Sequence, residues 1–410
     1  MANNIPLNTA VANRALQVLR MQTPFIKNVN RDYQDDISES QRKQGGIINI
    51  KKPPRVKGRR GELFKAESVV MPTISTQLQQ SGQDFAFSLT DLQLSVDGVM
   101  NGGADTFLKA AMGSIVSLIE ADGTALYKQV GTSFGSTSVQ PTDTNAFYTA
   151  GAYIRSQGGT AMNKVALLDP FVNGALASTL KLVYNPQKEI SDTYTTGMLG
   201  QGYGYDFYED AFIQTHTAGV YTGTPIVTTA SGNTVVTSGW GVGSILNAGD
   251  TFTLAGVYSI NPQTRQSTGR LAFFSVATTA VADGSGNMII TTVSPLTPAN
   301  VDQNQFATVS SLPAASAPLV VTSGTSGAIS KQSLLFDPSA FTFACVPMAK
   351  VPEGRGATST TASDKDSGLS ITMTQWYDGD TNQAKTRFDV LYAWLATYPE
   401  LAARYQSPAS

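Results

Sequence analysis

Residues 222–335 constrain this chain more than any other stretch. Only six of these 114 positions carry charge: Asp250, Arg265, Arg270, Asp283, Asp302 and Lys331. The rest is mostly Thr, Ser, Gly, Val and Ala in short alternating runs, at 251–260, 271–276 and, more loosely, 287–293. Asn247-Ala-Gly-Asp250, Asn261-Pro262 and Asp283-Gly-Ser-Gly286 punctuate them. Alternation at period 2 buries one side of a strand, and turn residues at this spacing join short strands, so the stretch is expected to form an all-β unit. Helical periods and most of the charge lie outside it. The expected organisation is a mixed α and β scaffold carrying a β insertion.

The 410 residues allow two to four domains with sizeable cores. A net charge of −2, from 28 basic and 30 acidic residues, argues against wholesale nucleic-acid affinity. Locally the balance fails: nine Lys or Arg and one acid, Glu62, lie between Arg42 and Lys65. Cys345 and His216 are the only residues of their types, which excludes an intramolecular disulfide and any metal site built on several Cys or His. The N-terminus lacks a basic start before an apolar run, and no apolar run approaches 18 residues. A soluble chain without export signal or membrane span is therefore expected.

Residues 1–45 carry a modest helical stripe, Val11, Ala15, Val18 and Leu19, then a polar stretch. They read as an arm that needs another surface to pack on. Residues 46–80 read as a projecting basic hairpin loop, with strands at 47–50 and 67–77. Prolines and glycines hold its tip, Lys51 to Gly61, out of regular structure. Lys51, Lys52, Arg55, Lys57, Arg59 and Arg60 are the candidate interface residues, pairing with acidic patches on neighbouring subunits. DNA contact and a merely solvated loop stay open as alternatives.

Further on, 85–89 reads as a strand. Phe107, Ala111, Ile115, Leu118 and Ile119 give a helix over 104–121. A helix over 145–157 ends at Gly158-Gly159, and 164–168 is a buried strand. Asp169-Pro170 caps and starts a helix through Leu180, and 188–197 reads as a further short helix. Strands follow at 341–345, 371–377 and 387–396, the last two joined at Asp378-Gly379 and the last apolar on both faces.

Several motifs invite chemistry. Asp378-Gly-Asp-Thr-Asn382 starts like a calcium loop but has Gln383 where glycine is needed and Asp389 in place of glutamate; a polar turn is the simpler reading. Gly200-Gln-Gly-Tyr-Gly204 lacks the context of a phosphate loop. Asp206, Glu209 and Asp210 lie among Tyr203, Tyr205, Phe207 and Tyr208; paired acids do acid–base work, but a solvated cluster beside an aromatic surface is favoured. Cys345 sits in an alternating strand as a buried thiol, and His216 has no partner visible in sequence. No catalytic residue, metal ligand or cofactor is assigned.

Taken in order, the parts resemble the major coat proteins of tailed double-stranded DNA phages, most of all the short-tailed subgroup with an inserted β-barrel domain. Residues 247–257 match a G-D-x-h-x-h-A-G-V pattern (h apolar) within that insertion. Residues 335–343 resemble the return to the parent domain. Tyr398-Pro-Glu-Leu401 resembles the R-P-E-A after the last long strand, with Tyr398 in place of Arg and Leu401 in place of Ala.

The resemblance implies an α+β capsid fold. Its parts would be an arm (1–45), an extended loop (46–80), a peripheral domain with a spine helix (81–140 and 376–410), an axial domain (141–221 and 336–375) and the inserted β domain (222–335). It also implies a non-catalytic protein assembled as pentamers and hexamers into an icosahedral virion shell around dsDNA. Assembly would occur in the host cytoplasm, with a scaffolding protein and a portal at one vertex and no membrane. Two rival classes remain: a phage tail, fibre or adhesin component, and a glycan-active enzyme using carboxylates. The isolated segment 222–335 should fold as a monomeric β domain; a disordered circular dichroism spectrum without a cooperative thermal transition would contradict this.

Overall fold

Strands outnumber helices in the computed structural model, which describes residues 12–17, 19, 23–32, 41–52, 54–56, 61–62, 69, 71–88, 104–160, 162–180, 199–299, 305–351, 356–364 and 368–409. The architecture is α+β. The expected helix at 188–197 lies outside the described residues. The chain divides into one unit made of Met1–Lys51, Thr73–Gly123 and Thr342–Leu395, and another made of Lys52–Pro72, Thr124–Phe341 and Ala396–Ser410.

The first unit is built on a sheet ordered Phe341–Val346, Gln383–Ala396, Leu369–Asp378, Ala357–Asp364, with Gln79–Ser88 also paired to Gln383–Ala396. Val390, Leu391, Tyr392 and Ala393 are all buried, so this strand is covered on both faces, as its unbroken apolar run requires. Helix Ala104–Thr124 buries Ala111, Met112, Ile115, Val116 and Ile119, while Leu118 is exposed. The buried stripe therefore runs through Met112 and Val116 rather than the expected Leu118, as a 3.6-residue period dictates. The Trp394 indole N–H donates to the Ile119 carbonyl at 3.0 Å, and the Tyr392 hydroxyl donates to Asp122 at 2.6 Å.

The arm differs from expectation. Ala12, Ala15, Leu16 and Leu19 form a buried i, i+3, i+4, i+7 face, and Phe25 and Ile26 are buried too. Val11 and Val18 lie outside the described residues. Phe25 stacks on Trp394 with ring centroids 4.8 Å apart, and a Cβ at Gly123 would fall within 2.8 Å of both rings. An aromatic pair closed over a glycine gives this segment a core within its own chain, so it does not wait for a neighbour. Ile47–Lys51 and Thr73–Gln77 pair antiparallel as the stem of the basic loop, with Ile50 opposite Ile74. The second strand starts later than the expected residue 67. Cys345 is buried, accepts the Ser370 N–H at 3.2 Å, and burial pushes its thiol up to about 12. The turn after Asp378 spans four residues, not two, because Asn382 takes a left-handed backbone (φ 52°).

The second unit is built on a mixed sheet ordered Ser133–Gly135, Ala402–Pro408, Ile329–Phe336, Lys164–Leu168, Tyr205–Glu209, Gln201–Gly202; Thr215–Thr217 also pairs with Ile329–Phe336. Leu335 lies opposite both Ala166 and Ala403. Helix Asn145–Ser156 packs Phe147, Ala150 and Ile154 into this core, with Phe147 stacked on Tyr405 at 4.8 Å. Helix Pro170–Leu180 is capped as expected, the Phe171 N–H donating to Asp169. Gly200–Gly204 proves to be a hairpin, with Tyr203 and Gly204 both at positive φ.

The alternating stretch supplies a separate group of strands: Gly223–Trp240, Thr251–Ile260, Ser267–Ser275, Met288–Leu296 and Leu319–Val321. Its apolar core runs from Val227 to Leu319, all contributed from within the stretch. Phe25→Ala should cost about 3–5 kcal/mol of unfolding free energy, as emptying a buried aromatic site usually does. Chemical denaturation of the soluble full chain would check this; a change below about 1 kcal/mol would mean the arm is not anchored on its own subunit.

Candidate assembly surface and its buried anchor

The candidate interface residues fall into two groups. Lys57, Arg59 and Arg60 lie outside the described residues, and Lys51 is exposed at the end of its strand. Lys52 and Arg55, at the root of the loop, are engaged within the second unit. Arg55 forms an ion pair with Glu400, both side chains partly exposed. The Lys52 ammonium sits 4.9 Å from the Tyr398 ring centroid and the Arg55 guanidinium 5.7 Å from it. Both distances are within cation–π range. Burial pushes the Lys52 ammonium below its usual range; Glu400 opposes the shift and Arg55 adds to it. Glu400 of the closing turn thus finds its guanidinium on the loop.

The same turn grips the stretch that leads out of the β insertion. The Tyr398 N–H donates to the Ala340 carbonyl and the Asp337 N–H to the Leu401 carbonyl, both at 3.0 Å. Asp337 caps the short turn at Pro338–Ala340 by accepting the Ser339 N–H and hydroxyl. Two of the short motifs read from the sequence thus meet in space.

The third motif contains the unit's best-buried carboxylate. Asp250, fully buried, accepts His216 Nε2–H at 2.9 Å, the Gly219 N–H at 3.0 Å and the Asn247 N–H at 2.6 Å. Burial pushes its carboxyl up, but the His216 hydrogen bond and charge and the Gly219 N–H outweigh that and hold it below the usual carboxylate range. His216 Nδ1 meets the Tyr127 hydroxyl at 3.1 Å, so both ring nitrogens are used. Gly249 has φ 97°, open to glycine, and its carbonyl accepts Arg404 Nη2–H at 2.6 Å. Arg404 is fully buried over the Tyr127 ring, and desolvation pulls its guanidinium down to about 10.

Asp250, His216 and Tyr127 are connected like a proton relay. Each is 3% exposed or less, so no substrate reaches them. What the arrangement does is tie the first turn of the insertion to the strand Thr215–Thr217 and, through Arg404, to Ala402–Pro408. His216's partner was hidden from the sequence by lying 34 positions away. The usable signal was Asp250 itself, one of few charges in an otherwise neutral stretch.

The other candidates dissolve into structure. Asp206 and Glu209 are three apart on a strand, hence on opposite faces, and accept from Asn163 and Asn173 respectively. Asp210 is buried rather than solvated; burial pushes its carboxyl up, and it accepts the Phe212 N–H. Asp378 accepts from the Asp380 N–H, Thr381 and Lys385, whose hydrogen bond is the main reason its carboxyl falls to about 2. Among the described residues no group of three His, Cys, Asp or Glu is placed to hold a metal, and no helix is long and apolar enough to cross a membrane.

Asp250→Ala should destabilise the chain by about 3–5 kcal/mol, since it strands His216 and two buried N–H groups. Because Asp250's folded pKa is depressed, its contribution is complete above the ordinary carboxylate value and fades as pH falls through the folded one. The variant should lose that part of the acid sensitivity, read by denaturation at neutral and acid pH; equal losses at every pH would contradict the assignment.

Residues 222–404 match the family model described as "P22 coat protein - gene protein 5". No curated protein matches the chain. Among solved structures, one titled "Mycobacterium phage Che8" is 10% identical, over 94% of this chain and 91% of that one, with a TM-score of 0.41. "Asymmetric unit of bacteriophage PhiM1 mature capsid" is 12% identical over 95% and 88%, with a TM-score of 0.38. "CUS-3 coat protein I-domain" is 21% identical over 25% of this chain and 97% of that one, with a TM-score of 0.19. The family match takes in the insertion, its exit and the closing turn, and with it the resemblance to the coat proteins of tailed phages is borne out across residues 222–404.

Proposed function

We propose that this chain is a phage major capsid protein, a structural, non-catalytic subunit that assembles in many copies into an icosahedral shell. The family match over residues 222–404 carries this reading, because it covers all three motifs, those of Asp250, Asp337 and Tyr398, the last two of which meet in the fold. The tail-fibre and glycan-enzyme alternatives lose ground on the same observation. The central Asp–His–Tyr series is closed to substrate, and the acids on the Tyr205–Glu209 strand do not form a pair.

The finer assignment follows the order of parts. Residues 1–45 are the arm, 46–80 the extended loop, Ala104–Thr124 the spine helix of a peripheral part, the mixed sheet the axial part, and 222–335 the inserted β domain. A scaffolding protein guides assembly in the host cytoplasm, a portal occupies one vertex, and packaged dsDNA is met by sequence-independent phosphate contacts. In this assignment Lys52 and Arg55 brace the root of the loop on Tyr398 and Glu400. Lys51, Lys57, Arg59 and Arg60 engage acidic groups on the neighbouring subunit.

Each partly exposed ion pair contributes only about 0–1 kcal/mol, so repetition around a shell must supply the strength. Arg59→Glu combined with Arg60→Glu should leave the monomer's thermal transition unchanged and cut the yield of shells seen by negative-stain microscopy. The difference between variant and wild type should shrink as salt rises. A normal yield of double-variant shells would remove the loop from the interface. A wild-type chain that stayed monomeric by sedimentation beside its scaffolding protein would remove the capsid reading itself.

A further inference from the structure

A cavity of about 510 Å³ in the first unit lies between Arg42 and Lys350, open on one side, with Thr361, Ser363 and residues 347–349 on its wall. Arg42 precedes the stem of the basic loop, and Lys350 follows the Phe341–Val346 strand, so sequence places them 308 residues apart. The Ala349 N–H donates to the Arg42 carbonyl at 3.4 Å, which draws the two segments together. Thr361 and Ser363 are two apart on the strand Ala357–Asp364 and share one face; Ala362 and Asp364 take the other.

The charge here is one-sided. Among the described residues neither Arg42 nor Lys350 is paired with a carboxylate, and the Arg42 Nε is buried with no hydrogen-bond partner. A buried guanidinium N–H without an acceptor is unfavourable, and two uncompensated cations at one hollow raise each other's cost. Thr361 meets Thr372 hydroxyl to hydroxyl at 3.2 Å. With Thr372 donating, the Thr361 hydrogen is free to point into the cavity. An acceptor-only, multiply charged group in the hollow would offset the two cations and meet the Thr361 hydroxyl at once. A guanidinium fork, an ammonium and a hydroxyl match the several oxygens of a tetrahedral anion better than the two of a carboxylate.

We propose that Arg42, Lys350 and Thr361 form a phosphate-binding site, taking either free phosphate or a phosphodiester of a DNA backbone. The volume admits a hydrated phosphate or one backbone phosphate with its flanking sugars. The inference stands on this cavity alone and does not rest on the capsid reading.

The test titrates the full chain, by calorimetry, with inorganic phosphate and separately with a short mixed-sequence DNA duplex. The same titrations follow on Arg42→Gln combined with Lys350→Gln. Phosphate should bind the wild type once per chain, and the double variant should bind at least about tenfold more weakly, having lost two charge-assisted contacts. Without ligand, the variant's thermal midpoint should hold or rise. Lys350→Gln alone, at an exposed position, is the fallback should the double variant fold poorly. Duplex binding that phosphate displaces, and that weakens in the variant, would make backbone phosphate the ligand; phosphate binding without duplex binding would make it the free anion. No binding of either by the wild type, or equal binding by wild type and variant, would overturn the proposal.

Discussion

A carboxylate with no access to water governs how the second unit is put together. A charge in that position must be met by donors on every side, and Asp250 is met by three, from His216, Gly219 and Asn247. Two of these come from the segment that leads into the insertion and one from its first turn. The insertion is therefore not hung on the scaffold by a loose pair of linkers. Its first turn is held in one orientation, and Gly249 next door passes its carbonyl to Arg404. Arg404 brings the closing strand into the same buried cluster, so four distant pieces of chain converge on one small polar centre.

The root of the basic loop shows a similar economy with different chemistry. Tyr398 stands two residues before Glu400 in the closing turn, and an aromatic ring cannot pair with that carboxylate. It can instead receive cations on its face. Lys52 and Arg55 arrive from the loop to occupy that place, and Arg55 then serves Glu400 as well. Glu400 is thus met by a guanidinium 345 positions away in sequence.

What the sequence disclosed and what it hid divide along physical lines. Strands such as Thr251–Ile260 and Lys164–Leu168, and the cap at Asp169, were legible because they depend on local alternation and local hydrogen bonds. The buried face of the arm was only half legible. Ala12 and Leu16 look unremarkable in the sequence, and the Phe25–Trp394 stack joins residues that no window spans. The polar centre was hidden almost entirely, because His216 and Arg404 acquire their roles only from tertiary placement. Asp206 and Glu209, three apart in sequence, invited a paired-acid reading that the pleat of the strand rules out by parting them. The cavity between Arg42 and Lys350 had no local signature at all, since each residue is an ordinary charge in its own segment.

The central position of Ile329–Phe336 bears on how the chain is made. This strand pairs on one side with Lys164–Leu168 and on the other with Ala402–Pro408, which is synthesised after it. The mixed sheet cannot close until residues 402–408 have left the ribosome, whatever its earlier parts have done. The β insertion, whose core lies wholly between Val227 and Leu319, needs nothing from the C-terminus to bury its apolar residues. It can be finished while the scaffold's sheet still has an open edge. Nascent subunits thus pass through a stage with one part folded and one strand edge exposed, the kind of intermediate most open to pairing with a neighbour. Closure by Ala402–Pro408 then acts as a checkpoint, because a chain cut short before it would keep that edge bare.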